Sequence, residues 1–321
     1  MDAHPCLASL KLSLSQLGHQ RFWYWRGWRV RYWFHPGPGG TDQPALLLIH
    51  GFGANLNQWR HNLAALSQVA PVYALDLLGF GDTEKAPTLY SAELWAAQVQ
   101  DFIAAVIHRP VVLVGHSLGA LVALTVAHQR PAQVSRLIMV TVPLPAARQD
   151  LVAGWVVNLA LWVESLVATP LLIRPLFRLV RQTAFLGWAL RSVYLHPEKV
   201  DGELLSLFAL PPRQRGAARA LCYLVRSRCQ PNFSPSIQAM LRDLALPALL
   251  LWGDRDRVLP VTMAPALEGL SPNLTLEYLN GAGHCIYDED PERFNQWVMY
   301  WAGYAGLAQT TEDQLDRPRC C

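Results

Sequence analysis

A serine in a short glycine-flanked motif has the setting of a nucleophile. The run Gly115-His116-Ser117-Leu118-Gly119 follows the apolar stretch Val111–Val114 and opens a helical pattern. Between a strand and a helix, a G-x-S-x-G sequence places its serine on a sharp, strained turn, with the hydroxyl beyond the sheet edge. The glycines remove side chains that would collide with neighbouring backbone. This context predicts Ser117 as a nucleophile, whereas His116 should point away from it and serve the structure.

A serine hydroxyl needs a base to take its proton, and a histidine can serve as that base. Among the 10 histidines, His284 lies in the glycine-rich turn Gly281–His284, directly after the apolar run Leu274–Tyr278. In a parallel sheet this turn lies at the same edge as Ser117. His50 also ends an apolar run, but it precedes a glycine turn that it is expected to hold in shape. We therefore predict His284 as the base.

A carboxylate is needed to fix the tautomer of the histidine and to stabilise the imidazolium. The loop after the apolar run Ala248–Leu251 offers Asp254 and Asp256, and the residues alone leave both open. With either one, the chain order is serine, acid, histidine, which resembles the order in α/β-hydrolases and differs from that in chymotrypsin and subtilisin. Asp76 ends another apolar run, but it precedes the serine and is expected to pin a turn.

Acyl transfer builds negative charge on a carbonyl oxygen, and backbone N–H groups in a dry site stabilise that charge. The run His50-Gly51-Phe52-Gly53 comes directly after the apolar stretch Ala45–Ile49. The N–H groups of Phe52 and Leu118 are therefore the candidate donors to the oxyanion. Neither donor depends on the identity of its side chain.

Short apolar runs that alternate with helical patterns predict a buried, mostly parallel sheet covered by helices. The runs are Ala45–Ile49, Val72–Leu75, Val111–Val114, Leu137–Val140, Ala248–Leu251 and Leu274–Tyr278, and the helical stretches include Asn57–Ser67, Ser91–Ile107 and Leu118–His128. Residues 21–34 predict a hairpin of edge strands that turns at Arg26-Gly27. Residues 145–245 lack a strand pattern and are divided by prolines, so we expect a helical cap inserted between core segments 1–144 and 246–321.

Composition and charge exclude several classes of protein. The 321 residues are 52% hydrophobic and 16% charged, which indicates a folded chain with its own core. A net charge of +3, without basic runs interleaved with aromatics, argues against nucleic acid as a partner. The six cysteines have no zinc-type spacing, so we expect no metal, no cofactor and a reducing compartment. The first residues lack the apolar region of a secretory signal, so no export is predicted.

These motifs resemble the α/β-hydrolase superfamily over residues 45–142 and 246–304. In that family the acid is the second acidic residue of a G-x-x-D-x-x-x-P loop, here Gly253–Pro260, so the resemblance implies Asp256. Within the superfamily, Leu94-Trp95, Gln98–Phe102 and Gly283–Glu292 are similar to the pheophytinase and chlorophyll dephytylase group. This similarity implies hydrolysis of a phytyl ester. The turn around Ser117 differs from that expected in pheophytinases. They are expected to have asparagine at the position of His116 and glycine at the position of Ala120.

The predicted cap combines apolar residues with a surplus of positive charge. Its 12 Lys and Arg against 6 Asp and Glu give +6, whereas the rest of the chain carries −3. We expect Trp155, Trp162 and Trp188 to line an apolar pocket for a lipophilic group. Basic residues, among them Arg174, Arg178 and Arg181, favour peripheral contact with an anionic membrane. An ordinary apolar cap over a soluble pocket explains the composition equally well.

Residues 151–173 hold a single charge and are long enough to span a membrane. A single crossing there would separate Ser117 from His284, so a buried or interfacial helix is preferred. The expected location is the cytoplasmic side, with peripheral attachment to a membrane, such as the thylakoid, as an open possibility.

The sequence thus predicts a cofactor-independent serine esterase that acts on a lipophilic ester. A carbon–carbon bond hydrolase or a lactonase is an alternative, because the same three residues serve those reactions. A non-catalytic pigment or lipid carrier that keeps the scaffold is another. Epoxide hydrolase and dehalogenase activity is disfavoured, because those relatives carry an aspartate at the position of Ser117.

Overall fold

An eight-stranded, mostly parallel sheet organises the protein. The computed structural model describes residues 19–38, 43–144, 177–178, 181–228 and 230–304. The strands are β1 (His19–Trp25), β2 (Trp28–His35), β3 (Ala45–Ile49), β4 (Val72–Leu75), β5 (Val111–His116), β6 (Val134–Val140), β7 (Ala248–Gly253) and β8 (Leu274–Leu279). Their order in the sheet is β1-β2-β4-β3-β5-β6-β7-β8. The pairs β1–β2 and β2–β4 are antiparallel, and all other pairs are parallel.

Helices cover both faces of the sheet. They are α1 (Leu63–Leu66), α2 (Ala92–Phe102), α3 (Leu118–Gln129), α4 (Thr183–Val193), α5 (Gly202–Ala209), α6 (Ala217–Arg228), α7 (Ile237–Arg242), α8 (Ile286–Glu289) and α9 (Pro291–Ala302), with short 3-10 helices at Leu56–Trp59, Pro131–Gln133, Pro197–Lys199, Pro211–Arg213 and Val261–Leu267 and a π-helical turn at Ile103–Ile107. Alternate residues of the central strands enter two separate apolar cores, one on each face. The parallel strands are therefore buried on both sides, as their continuous apolar runs predict.

Local side chains define where several helices begin and end. Ser91 and Asp201 accept hydrogen bonds from backbone N–H groups in the first turns of α2 and α5, and Gly303 ends α9 in a left-handed conformation. The helix predicted over Asn57–Ser67 is instead broken into the 3-10 helix Leu56–Trp59 and α1. Between these two helices, the side-chain amide of Asn62 donates to the carbonyl oxygen of Tyr287. Asn62 thus makes a tertiary contact at the point where the predicted helix is broken.

The N-terminal hairpin turns where the sequence predicts, but only one of its strands is an edge. Arg26 and Gly27 both have positive φ angles, 50° and 84°, which suit a two-residue hairpin turn. β1 is the edge strand, whereas β2 also pairs with β4 and lies inside the sheet. Its residues Arg31 and Trp33 are consequently buried. The prediction of two edge strands is wrong for β2, because the alternation pattern does not reveal a second pairing partner.

The described part of the segment between β6 and β7 is helical and contains no strand. Trp155, Trp162, Arg174 and the apolar stretch 151–173 lie outside the described residues. Trp188 is 66% exposed on the outer face of α4, so its predicted place in a pocket lining is wrong. The inner face of α4 meets α5 at Gly187, close to Leu205, and this directs Trp188 towards solvent. None of the described helices is long and apolar enough to cross a membrane.

Candidate active site

Ser117 lies on a strained turn between β5 and α3. Its backbone has φ 52° and ψ −115°, a region that residues other than glycine rarely adopt. The N–H of Ser117 donates to the carbonyl oxygen of Val140 at 2.9 Å. A Cβ at Gly115 would collide with backbone of Gly119, and one at Gly119 would collide with the carbonyl oxygen of Ile49. The two glycines therefore allow the turn to press against the end of β3.

His284 and Asp256 form a buried hydrogen-bonded pair on neighbouring loops. The Nδ1 of His284 is 2.7 Å from Oδ2 of Asp256. The other oxygen of Asp256 accepts the N–H groups of Val258 and Leu259 at 2.7 and 2.8 Å. Because the carboxylate is the acceptor, His284 carries its proton on Nδ1 and leaves Nε2 free to take another. Of the two aspartates that the sequence left open, it is Asp256 and not Asp254 that contacts the histidine.

The loops that carry this pair also touch each other through their backbones. The N–H of Arg255 donates to the carbonyl oxygen of Ala282 at 3.0 Å. A Cβ at Gly253 would collide with that same carbonyl group, so glycine is required at the end of β7. The core thus joins the acid loop to the base loop through their backbones, in addition to the hydrogen bond between His284 and Asp256.

His116 joins the serine turn to the loop of His284. Its Nε2 lies 3.1 Å from the backbone oxygen of His284, and the two rings are 4.6 Å apart. Burial, together with the nearby His284, lowers the pKa of His116 well below its ordinary value. The ring is therefore neutral, and it donates its Nε2 proton to the carbonyl oxygen. This structural role agrees with the prediction from the sequence.

The loop after β3 is held by His50. The N–H of Leu77 donates to Nε2 of His50 at 3.0 Å, so the proton of the ring is on Nδ1 and reaches the carbonyl oxygen of Gly51 at 2.7 Å. Burial lowers the pKa of His50 and favours this neutral form. Since Ile49 pairs with Gly115 in the sheet, the loops after β3 and β5 lie side by side. Phe52 and Leu118, the candidate oxyanion donors, follow in these two loops.

A buried ion cluster, here called the Asp76 cluster, supports the oxyanion side of the site. It consists of Arg31, Asp76 and Asp82. Oδ2 of Asp76 accepts from Nε of Arg31 at 2.7 Å and from the N–H of Asp82 at 2.8 Å, while Oδ1 accepts from the N–H of Leu56. Burial alone would raise the pKa of Asp76, but Arg31 and these hydrogen bonds outweigh it and lower that pKa. Asp76 therefore pins two turns, as expected.

A second buried cluster, here called the Asp288 cluster, lies beside the loop of His284. It consists of Arg60, Tyr194, Asp201 and Asp288. Arg60 contacts Asp288 through Nε at 2.8 Å and Asp201 through Nη1 at 2.9 Å, and the hydroxyl of Tyr194 donates to Asp288 at 2.9 Å. Arg60 and Asp288 are 228 positions apart. Sequence reasoning missed this cluster; the available signal was an acidic residue four positions after the predicted base.

Among the described residues, no group of three His, Cys, Asp or Glu side chains is placed to hold a metal ion. Cys222 and Cys285 are both buried. Burial raises the pKa of Cys285 above its ordinary value, so the thiol next to His284 is not a thiolate near neutral pH.

The fold and these contacts agree with the comparison to known proteins. The family described as alpha/beta hydrolase fold matches residues 44–291, and the chain belongs to it. The superfamily and fold class expected from the sequence are thereby confirmed. A relative, "Uncharacterized protein Rv2715" of Mycobacterium tuberculosis, is 34% identical over 262 residues, covering 78% of this chain and 73% of its own. Epoxide hydrolase 3 of Xenopus tropicalis is 27% identical, covering 81% of this chain and 71% of its own.

Solved structures show the same architecture. A bacterial membrane phospholipase A superposes with a TM-score of 0.73 at 26% identity, covering 94% of this chain and 91% of its own. A meta-cleavage product hydrolase from Pseudomonas fluorescens superposes with a TM-score of 0.70 at 21% identity, covering 89% and 98%, and this likeness concerns the fold. The protein is thus a hydrolase of the α/β fold.

Proposed function

We propose that this protein is a serine hydrolase of carboxylic esters, with Ser117 as nucleophile, His284 as base and Asp256 as the acid that orients His284. The observation that carries the proposal is the buried 2.7 Å hydrogen bond between His284 and Asp256 at the sheet edge where Ser117 occupies its strained turn. A histidine held by a carboxylate, with its second nitrogen free, is arranged to accept a proton from a hydroxyl.

The reaction proceeds in two acyl-transfer steps. The oxygen of Ser117 attacks the ester carbonyl carbon as its proton passes to Nε2 of His284, and the N–H groups of Phe52 and Leu118 stabilise the oxyanion. His284 then gives that proton to the leaving alcohol, and an acyl-serine remains. Water attacks the acyl-serine as His284 takes one of its protons. The bond between the acyl carbon and the serine oxygen then breaks, His284 returns that proton to the oxygen of Ser117, and the carboxylic acid is released.

Asp256 is held in position by the backbone of its own loop. Its carboxylate accepts two backbone N–H groups in addition to the N–H of His284. It therefore fixes the ring orientation and lies where it can stabilise the imidazolium. The two backbone donors also hold the carboxylate in place before the substrate binds.

Epoxide opening, the reaction in the name of one relative, does not suit a serine at this position. Attack of a serine hydroxyl on an epoxide carbon would form an ether. An ether has no carbonyl carbon for water to attack, so the enzyme could not be regenerated in the way that an acyl-serine allows. Ser117 thus favours acyl chemistry despite that relative's similarity.

We propose a lipophilic ester as the substrate. Two observations support this choice: the similarity to the membrane phospholipase A over 94% of this chain, and the exposed side chain of Phe52, whose own N–H is one of the candidate oxyanion donors. The phytyl ester of chlorophyll or pheophytin is the specific candidate. It is suggested by the similarity of Leu94-Trp95, Gln98–Phe102 and Gly283–Glu292 to the pheophytinase and dephytylase group.

Reaction with a fluorophosphonate probe tests the chemistry. We expect wild-type protein to be labelled, Ser117→Ala to be unlabelled, and Asp256→Asn to lose roughly 10⁴-fold in kcat. The matched control is Asp254→Asn, two residues away, which should stay close to wild type. Absence of labelling in folded wild-type protein would contradict the proposal and favour a non-catalytic carrier.

A substrate panel tests the specificity separately. Chlorophyll a, pheophytin a, phosphatidylcholine, short nitrophenyl esters, lactones and a vinylogous diketone should be compared with wild type and Ser117→Ala. Release of phytol by wild type alone would support the phytyl-ester assignment. Hydrolysis of other long-chain esters without phytol release would remove that assignment and keep the lipophilic one, whereas activity confined to lactones or carbon–carbon bonds would overturn both.

We further propose peripheral contact of the inserted segment with an anionic lipid surface. Arg181, Arg191, Arg219 and Arg226 are exposed there, and the indole of Trp188 is exposed on α4, the helix that also carries Arg191. Each basic residue near such a surface contributes about 1 kcal/mol, and indole rings favour the interface. This corresponds to the cytoplasmic side of a membrane, the thylakoid if chlorophyll is the substrate.

Flotation with phosphatidylglycerol vesicles tests the membrane contact. The protein should float with the vesicles at low salt, and flotation should weaken in 1 M salt or in Trp188→Ala. Absence of flotation at low salt would contradict the membrane contact.

A further inference from the structure

The loop that carries His284 is gripped by the inserted segment as well as by the core. The hydroxyl of Tyr194 donates to Asp288 at 2.9 Å, and the N–H of His196 donates to Glu289 at 2.8 Å. A Cβ at Gly283 would lie 2.7 Å from Cβ of Leu195, so the backbone before His284 packs directly on this segment. The insert therefore touches the base loop on both sides of the histidine.

Tyr194 contacts the acid loop too. Its backbone oxygen accepts a hydrogen bond from Arg257, the residue after Asp256, at 3.3 Å. The side chain of Tyr194 is buried, and burial, reinforced by the Asp288 carboxylate, raises the pKa of its hydroxyl. The phenol therefore stays protonated and donates. One residue of the insert thus bridges the loops of the two residues that form the buried pair.

Arg60 completes this bridge from the core side. Burial opposes its charge, but the hydrogen bonds and charges of Asp288 and Asp201 outweigh burial and raise the pKa of the guanidinium. The charged group therefore holds Asp288 with two nitrogens, Nε and Nη2, and reaches the start of α5, at Asp201 and Glu203, with the third, Nη1. Asp288 is consequently fixed between a core residue and two parts of the insert.

We propose that Tyr194 and Arg60 are positioning residues that act through Asp288 to align His284 with Asp256, so that the inserted segment takes part in building the reactive pair. This inference rests on the proposed function. The core joins the two loops through their backbones, at Arg255 and Ala282, and the insert adds a further bridge through Tyr194. Reactive groups must be held to within roughly 0.5 Å, so loss of the insert's bridge weakens the reaction without abolishing it.

The test uses variants that each change one buried side chain with little change in its size. Tyr194→Phe and Asp288→Asn should lower kcat on a soluble short-chain ester roughly 10–100-fold while KM changes less than about threefold. The rate of reaction with a fluorophosphonate should fall by a similar factor, because that reaction also depends on His284. The matched control is Tyr304→Phe, which removes another buried tyrosine hydroxyl, bonded to Pro44 at the opposite edge of the sheet, and should react like wild type.

A spectroscopic measurement separates alignment from substrate binding. The Nδ1 proton of His284, held by Asp256, should give a low-field proton resonance that is lost in His284→Gln. We expect this resonance to shift or broaden in Tyr194→Phe and in Arg60→Lys, which keeps the charge but loses the forked contact, and to stay unchanged in Tyr304→Phe.

One result would overturn the inference, and a different result would overturn the proposed function. Folded Tyr194→Phe and Asp288→Asn proteins with wild-type reaction rates and an unchanged resonance would overturn the inference. If wild-type protein itself does not react with the fluorophosphonate, the proposed function fails. In that case the resonance alone decides the inference: a shift in Tyr194→Phe and Arg60→Lys supports alignment by the insert, and no shift overturns it.

Discussion

The Asp76 cluster and the Asp288 cluster are built alike but depend on different parts of the chain. Arg31 and Arg60 are equally buried, with side chains 5% and 4% exposed, and each holds a fully buried carboxylate. The Asp76 cluster lies within residues 31–82, and the insert reaches it at its outer member, Asp82, through Gln214. The Asp288 cluster, by contrast, needs Tyr194 and Asp201 of the insert. The loop that carries Phe52 is thus fixed by the core, whereas the loop that carries His284 is fixed jointly by the core and the insert.

The largest expected effect comes from breaking the Asp76 cluster. Asp76→Asn should lower the free energy of unfolding by about 3–5 kcal/mol, because it leaves the buried Arg31 with a single, partly exposed carboxylate, Asp82, and removes the charged acceptor of the Leu56 and Asp82 N–H groups. Urea unfolding measures the change. The control is Asp82→Asn, at a partly exposed carboxylate, which should cost less than about 1 kcal/mol. Equal losses in both variants would contradict the central role of Asp76.

Asp288→Asn should cost less, about 1–3 kcal/mol of unfolding free energy. Arg60 keeps Asp201 and Glu203 as partners in this variant, so its charge is not left alone. The same urea experiment compares it directly with Asp76→Asn. A loss as large as that of Asp76→Asn would contradict the comparison, because it would show that Asp201 and Glu203 of the insert do not compensate the buried charge of Arg60.

Acid should remove the difference between wild type and Asp76→Asn. The pKa of Asp76 is lowered from its ordinary 3.8, so its ionisation stabilises the fold above that pH, and the contribution is lost as the pH falls. The deficit of the variant should be constant near neutrality and shrink by about 1.4 kcal/mol per pH unit below about 4. Unfolding of both proteins across pH 3–7 checks this. A deficit that stays constant to pH 3 would show that the pKa is not lowered.

The smallest effect is expected at the rim of the Asp288 cluster. The side chain of Asp201 is 49% exposed, and asparagine can still cap α5. Asp201→Asn should therefore cost about 0.2–1 kcal/mol, and the loss should diminish in 1 M salt. The loss in Asp76→Asn, which is buried, should be much less sensitive to salt. A large salt-independent loss at Asp201 would indicate that the rim is as insulated as the centre.

Local patterns were sufficient to predict the sheet and the candidate residues. Each of the six apolar runs forms a strand, from β3 to β8, and the hairpin turns at Arg26-Gly27. Ser117 is strained as its motif predicts, because the steric demands of the turn lie within five residues. The G-x-x-D-x-x-x-P loop favoured Asp256, which is the aspartate that contacts His284. The catalytic roles of these residues are proposals that the fluorophosphonate experiment tests.

Long-range partners could not be predicted from the same patterns. Arg31 is separated from Asp76 by 45 positions and Arg60 from Asp288 by 228, and an arginine read in isolation is expected at the surface. Their burial becomes favourable only when the fold supplies a carboxylate. Trp188 is the opposite case, an apolar side chain that lies at the surface. Single exposed apolar side chains are common, and the packing of neighbouring residues decides which way such a side chain points.

The contact of Tyr194 with both loops bears on any attempt to redesign this enzyme by grafting. A chimaera in which all of residues 145–245 are exchanged would keep every strand of the described sheet. It would, however, lose the phenol of Tyr194 and the start of α5 at Asp201, which brace the loop of His284. Retaining residues 194–203 in the recipient and exchanging the remainder would preserve that brace. Substrate preference and reactivity could then be varied independently of each other.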